Sequence, residues 1–242
     1  MDLNYIFSDA IKYPFQDFKK LLLLGVLLIF TELGKISIAY NHGDIPILLI
    51  AFVIDLIFGI IVAGYSISVM NKGTEYSDDI PDFNLNKNFI DGLKSIIISI
   101  IYFIIPTLIL ILALMLIVGI GALLSNLQIA IILFIIFLLI AIISYIIFGI
   151  LGVVALARFA YYEDWKEALS LSDVRDDAKK IGAKNIILFI IMMMMIFIVI
   201  FAISAILELI PYVGVILSCI IVSSYATLFY AKAIGLLYAE KD

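Results

Sequence analysis

The chain has 242 residues, 65% hydrophobic and 14% charged, with a mean hydropathy of +1.25. A soluble domain is about half apolar and about a quarter charged, so folding as an ordinary globule in water is excluded. The net charge of −5 argues against nucleic acid as a partner, and a single Cys and a single His exclude an internal disulfide and a histidine metal site; no cofactor is expected.

Residues before Leu21 carry Asp2, Asp9 and Asp17 and no apolar core, unlike a cleaved signal, so Met1 is expected to be the mature N-terminus. From there the chain reads as one all-α polytopic domain over 1–242. At about 20 apolar residues per crossing, six membrane helices are expected, at about 21–40, 45–70, 95–124, 128–157, 186–207 and 211–237. The connecting segments 71–94 and 158–185 are then loops on one side.

The middle pair is decided by charge. Residues 95 to 157 form a run of 63 without a formal charge, enough for two long helices or three short ones. Two helices put every Lys and Arg except Lys35 on one side. A third would carry the basic stretch Arg158 to Lys184 across the membrane, against the bias of positive residues toward the cytoplasm. Both termini are therefore expected in the cytoplasm, with Ser125-Asn126 as the outer break, Pro106 as a possible kink, and Gly119 and Gly121 loosening the outer end.

Each pair of helices follows an amphipathic stretch, which suggests three hairpins. Leu3, Ile6, Phe7, Ala10 and Ile11 recur at helical spacing, with Phe15 and Phe18 as interfacial anchors. The second stretch holds Phe83, Phe89, Ile90 and Leu93. The third holds Trp165, also an expected anchor, with Ala168, Leu171, Ala178 and Ile181, and Ser170 followed by Asp173 predicts a helix cap.

Charges inside a bilayer cost several kcal/mol unless paired or wetted, so they mark where function is sought. Glu32, Lys35 and Asp55 fall at similar depth, about 15 to 21 Å from a border at about 1.5 Å per residue. Glu32 and Lys35 are three apart, and the Lys35 stem is expected to reach Asp55. The alternatives are a proton- or ion-binding cluster and a charge network that only fixes helix pairing, and the second is favoured. Glu208 reads as an interfacial residue, Asp78, Asp79 and Asp82 as a solvated turn rather than a metal site, and Asp176 with Asp177 as a solvated helix face. His42 sits in an outer turn, Cys219 in apolar core, and the Met192–Met195 run points around its whole helix as filler. Gly59, Ala63 and Gly64, like Gly149, Gly152 and Ala155, form small-residue stripes that permit close helix packing.

The run Tyr13-Pro14-Phe15-Gln16-Asp17-Phe18-Lys19-Lys20-Leu21 resembles the opening of an archaeal family of membrane proteins, domain of unknown function 4013. Gly64-Tyr65, Ile80-Pro81-Asp82-Phe83, Asp91-Gly92-Leu93-Lys94, Ile101-Tyr102, Pro106 and Trp165-Lys166-Glu167-Ala168-Leu169 continue the likeness. Phe18 stands where Trp is more usual. The resemblance implies a polytopic cell-membrane protein and brings no catalytic residue with it. The chain is also distantly similar to membrane regions attached to some glycerophosphodiester phosphodiesterases, which hints at lipid.

The leading expectation is a non-enzymatic membrane protein that organises lipid or a partner protein at the cytoplasmic face; the partners expected are membrane lipids and either a protein partner or a homo-oligomer. The alternative is a small transporter or channel using Glu32, Lys35 and Asp55. No phosphate-cradling loop, metalloprotease motif or nucleophile–base pair is visible.

Overall fold

The computed structural model describes residues 2–41, 44–123, 127–210 and 213–241, and among them every regular element is helical. Helix α1 (Leu3–Lys12) leads through a 3₁₀ turn, Tyr13–Phe15, into α2 (Phe18–Ile29) and α3 (Leu33–Asn41). Then follow α4 (Ile45–Thr74), α5 (Leu85–Leu123), α6 (Leu127–Tyr162), α7 (Trp165–Leu169), α8 (Leu171–Ile181), α9 (Ala183–Glu208) and α10 (Gly214–Leu217). A π-helical turn, Ser218–Ser223, joins α10 to α11 (Ser224–Ala239).

Five helical stretches are long and apolar enough to cross a membrane: α4, α5, α6, α9 and the run Gly214–Ala239. That is the architecture of a multi-pass membrane protein. The sixth expected helix, about 21–40, is not continuous. It divides at Phe30–Glu32 into α2 and α3, each too short to cross alone. The outer break at Ser125-Asn126, like His42, lies outside the described residues. Pro106 lies inside α5, which continues through it.

The second amphipathic stretch is not a separate interfacial helix, because Phe89, Ile90 and Leu93 belong to the first turns of α5 itself. The first and third stretches do form short helices, and these pack inward. Ile6, Phe7 and Ala10 of α1 are buried, as are Ala168 of α7 and Val174 and Ile181 of α8. Capping side chains start them: Asp2 accepts from the Asn4 and Tyr5 amides, and Asp164 from that of Lys166. Ser170 holds the cap position of α8, but its hydroxyl meets Ser172 rather than a backbone amide.

The N-terminal segment, the 75–84 loop, α7, α8 and the end of α11 gather at one end of the bundle, here called the loop end. The extended loop cannot satisfy its own carbonyls, so side chains from elsewhere do. Lys232 donates to the Ser77 carbonyl at 2.7 Å, Tyr13 to Asp79 at 2.9 Å, Lys20 to Ile80 at 2.6 Å and Tyr65 to Pro81 at 3.1 Å. The Tyr65 ring also stacks on Phe83, with centroids 3.9 Å apart. Lys232 is fully buried; it pairs with Asp9 at 3.3 Å and lies over the Tyr13 ring.

A second knot joins α6, α7, α8 and α11. Arg158 contacts Asp177 at 2.5 Å and Glu167 at 2.7 Å, and the Tyr238 hydroxyl donates to the same Asp177 carboxylate. Asp177 is therefore buried, which corrects the expectation of a solvated Asp176-Asp177 face; only Asp176 fits it. Of the small-residue stripes, Gly64 is the one that geometry demands. A Cβ there would stand 1.7 Å from the Asn88 carbonyl oxygen, and one on Gly92 would stand 1.9 Å from that of Ile60, so α4 and α5 meet backbone to backbone. Gly59 faces open space.

Candidate functional site

The break between α2 and α3 builds the polar site away from the loop end. Helix α2 closes in a tight turn, with the Phe30 amide donating to Leu27, that of Thr31 to Leu28 and that of Glu32 to Ile29. The Thr31 hydroxyl adds a bond to the Leu28 carbonyl. The chain then restarts, since the Glu32 carbonyl accepts from Ile36, the first bond of α3. Glu32 thus occupies the capping position without capping through its side chain.

That task falls to Asp55 on α4. Its two carboxylate oxygens accept from the amides of Leu33 at 2.9 Å and Gly34 at 3.0 Å. These are the first two amides of α3, which have no carbonyl of their own, and the positive end of the helix favours the negative charge. Gly34 leaves room for the approach: a Cβ there would meet Asp55 Oδ2 at 2.9 Å. Phe30 stacks on Phe58 beside it, which aligns α2 with α4.

Lys35 does not reach Asp55. Its Nζ meets Glu208 at the end of α9 at 2.8 Å, with half of the Lys35 side chain exposed. The interfacial reading of Glu208 therefore omitted its partner. The Glu32 carboxylate has no hydrogen-bond or ion-pair partner among the described residues. The structure brings Glu32, Lys35 and Asp55 to one region, with Glu208 as a fourth member and a backbone bond for Asp55.

The π-helical turn abuts this region. Ser218 and Ser204 touch through their hydroxyls, and Cys219 is buried. The turn also approaches α2, where Gly25 faces the Ile220 backbone. Among the described residues no three His, Cys, Asp or Glu side chains converge as a metal site.

The expected anchors sit at the loop end. Phe15 and Phe18 are 66% and 61% exposed, whereas Trp165 is half-buried against the core. Phe15 packs on Tyr225, with centroids 5.6 Å apart. The two phenylalanines overhang an apolar groove of about 370 Å³ between α2, α9 and the π-helical turn, lined also by Leu22, Ile203, Ile221 and Tyr225. Of the Met run, Met193 is buried while Met194 and Met195 are exposed. Sequence reasoning missed Lys232 and Arg158 as buried cations. Their only signal is that each lies within or beside an otherwise apolar helical run.

The sequence landmarks of the family resemblance turn out to be load points of this architecture: Tyr13, Lys20, Tyr65, Phe83, Gly64 and Gly92 appear above, and the Tyr102 hydroxyl donates to Ala168 at 2.8 Å. No match was found among curated proteins or among solved structures. Residues 47–209 match the family described as protein of unknown function (DUF4013); the match covers more than half of the chain and begins after the Tyr13–Leu21 run, and the chain belongs to that family.

Proposed function

We propose that this is a non-enzymatic, six-pass protein of the cell membrane, with both termini in the cytoplasm, that organises lipid through the groove beneath Phe15 and Phe18. Helices α2 and α3 together make the sixth pass. The orientation rests on the placement of every Lys and Arg except Lys35 toward the loop end. The groove carries the functional reading. Its walls are aliphatic and aromatic, and Phe15 and Phe18 flank it just before the basic pair Lys19-Lys20. An acyl chain fits such walls, with its headgroup beside Lys19.

The inward packing of α1, α7 and α8 supports this reading over broad membrane adhesion, since their apolar faces are already used within the chain. Replacing Phe15 and Phe18 together by Ser removes two aromatic surfaces of about 150–250 Å² each. The expected result is loss of most lipid retained through purification, measured by mass spectrometry, with the melting temperature unchanged. Equal lipid retention would overturn the reading, and loss of a copurifying partner or of a dimer instead would transfer it to protein contact.

One observation favours a second reading, a small transporter or channel. Broken helices whose ends face charged groups are how many transporters hold ions within the membrane, and α2 and α3 break beside Asp55, Glu32 and the Lys35–Glu208 pair. Proton and cation flux into proteoliposomes, compared between wild type and Asp55→Asn under an imposed gradient and potential, tests it. No flux from folded, inserted protein would exclude it.

A further inference from the structure

The loop end holds a polar cavity of about 300 Å³, separate from the apolar groove. Lys87, Asp91 and Lys94 line one wall; at i, i+4 and i+7 they share a face of α5. Asn71 of α4, Phe159 of α6 and Glu163 just beyond α6 line the other.

These groups are not equally engaged. Lys94 pairs with Asp91 at 3.2 Å and lies over the Phe159 ring, and the Asn71 amide donates to the Ala160 carbonyl at 2.8 Å. Lys87 and Glu163 are different: neither side chain has a partner among the described residues, although both face the same cavity. Glu163 also adopts φ +55°, the left-handed conformation that usually falls to glycine after a helix. A carboxylate is thus held at the rim in a strained conformation, and such conformations cluster at binding sites.

We infer that this cavity binds a zwitterionic phosphate ester of the phosphoethanolamine type. Lys87 and the outer side of Lys94 take the phosphate, and Glu163 takes the ammonium. Two lysines and two carboxylates make the wall neutral overall, so a bare anion meets Asp91 and Glu163 as repulsion while a zwitterion meets both signs with a complement. Lys94 is the last charge before the uncharged run 95–157, the position where a lipid headgroup would stand. A lipid headgroup and a free phosphoethanolamine ester present the same chemistry.

The test uses the full chain in detergent with four probes: phosphatidylethanolamine, soluble glycerophosphoethanolamine, phosphatidylglycerol and inorganic phosphate, each titrated by native mass spectrometry or calorimetry. Saturable binding of the ethanolamine lipid is expected, weakened about tenfold by Lys87→Gln and by Glu163→Gln and restored by Lys87→Arg. Saturable binding of glycerophosphoethanolamine as well would assign recognition to the headgroup alone; binding of the lipid only would assign a membrane source. Glu163→Gln, which removes a repulsive charge from the wall, should strengthen phosphatidylglycerol and phosphate binding while it weakens the ethanolamine lipid, and the Phe15→Ser/Phe18→Ser double variant should leave the ethanolamine response unaffected, which separates this site from the groove. Lys87 and Glu163 are exposed, so their variants fold. The inference is overturned if neither ethanolamine probe saturates, if both charge variants bind as wild type, or if phosphatidylglycerol binds as tightly as phosphatidylethanolamine.

Discussion

Replacing Asp55 by Ala should unlatch α3 from α4 without dismantling the bundle. The substitution strips acceptors from two amides, Leu33 and Gly34, now bonded at 2.9 and 3.0 Å. An amide left unpaired away from water costs about 1–3 kcal/mol, and bonds to charged acceptors lie toward the upper part of the range for net hydrogen bonds. With partial rewetting at a half-buried site, the two together come to about 3 kcal/mol of local stability. At about 1.4 kcal/mol per factor of ten, the Leu33 and Gly34 amides should exchange with deuterium about a hundredfold faster. Asp55→Asn keeps one acceptor oxygen but loses the charge favoured at the helix start, so it should fall between. Residue-resolved exchange in micelles reads this directly, with amides of α11 as the internal control. If Leu33 and Gly34 exchange at wild-type rates in folded Asp55→Ala, the carboxylate is not what starts α3.

Three further outcomes follow from the loop end and the helix contacts. Lys232→Met leaves Asp9 and the Ser77 carbonyl without their buried donor, and should cost about 3–5 kcal/mol in chemical unfolding; an unchanged midpoint would contradict it, and adding Asp9→Asn should recover part of the loss. Gly92→Ala puts a Cβ 1.9 Å from the Ile60 carbonyl oxygen, whereas Gly59→Ala meets nothing within 4 Å, so thermal unfolding should fall sharply for the first, by at least the about 1–3 kcal/mol typical of overpacking, and stay level for the second. Bonding to Lys20, then the lysine charge, holds the exposed Asp82 carboxyl below its ordinary range. Because the folded value is depressed, the Lys20 contact stabilises the 75–84 loop fully above the ordinary carboxylate range and is lost as pH falls through the lowered value; pepsin nicking of the loop should rise over that acid window in wild type and show no such step in Lys20→Gln.

The long helices were legible because lipid imposes one requirement along their whole length. Expected spans 45–70, 128–157 and 186–207 lie within α4 (Ile45–Thr74), α6 (Leu127–Tyr162) and α9 (Ala183–Glu208). The observed helices are longer at the loop end, since hydropathy stops at the first charge while hydrogen bonding does not. The break at Phe30–Glu32 escaped because hydropathy averages over composition, and what stabilises the break is a carboxylate more than twenty residues away on another helix. Depth counting along helices put Glu32, Lys35 and Asp55 at one level of the membrane. Their pairing was not legible: depth gives one coordinate, and the choice of Glu208 by Lys35 depends on where α9 ends laterally. Asp176 and Asp177 make the same point at one residue's resolution, because adjacent positions on a helix face about 100° apart and only Asp177 turns toward Arg158.

The landmark residues and the proposed binding residues divide in a way that bears on function. Tyr13, Lys20, Tyr65 and Tyr102 each spend their polar atom on a backbone carbonyl of another segment, and Gly64 and Gly92 spend their missing side chains on helix contact. Their polar atoms are committed to holding the backbone. They close the loop end into a fixed frame, and a fixed frame is what binding by preorganised groups requires. The groups that remain available stand on that frame: the exposed rings of Phe15 and Phe18 beside the Lys20 anchor, and Lys87 and Glu163 flanking the Gly64–Gly92 crossing of α4 and α5. Lengthening the 75–84 loop should therefore loosen the frame and weaken lipid retention and ethanolamine binding together, even though no residue in contact with either ligand has changed.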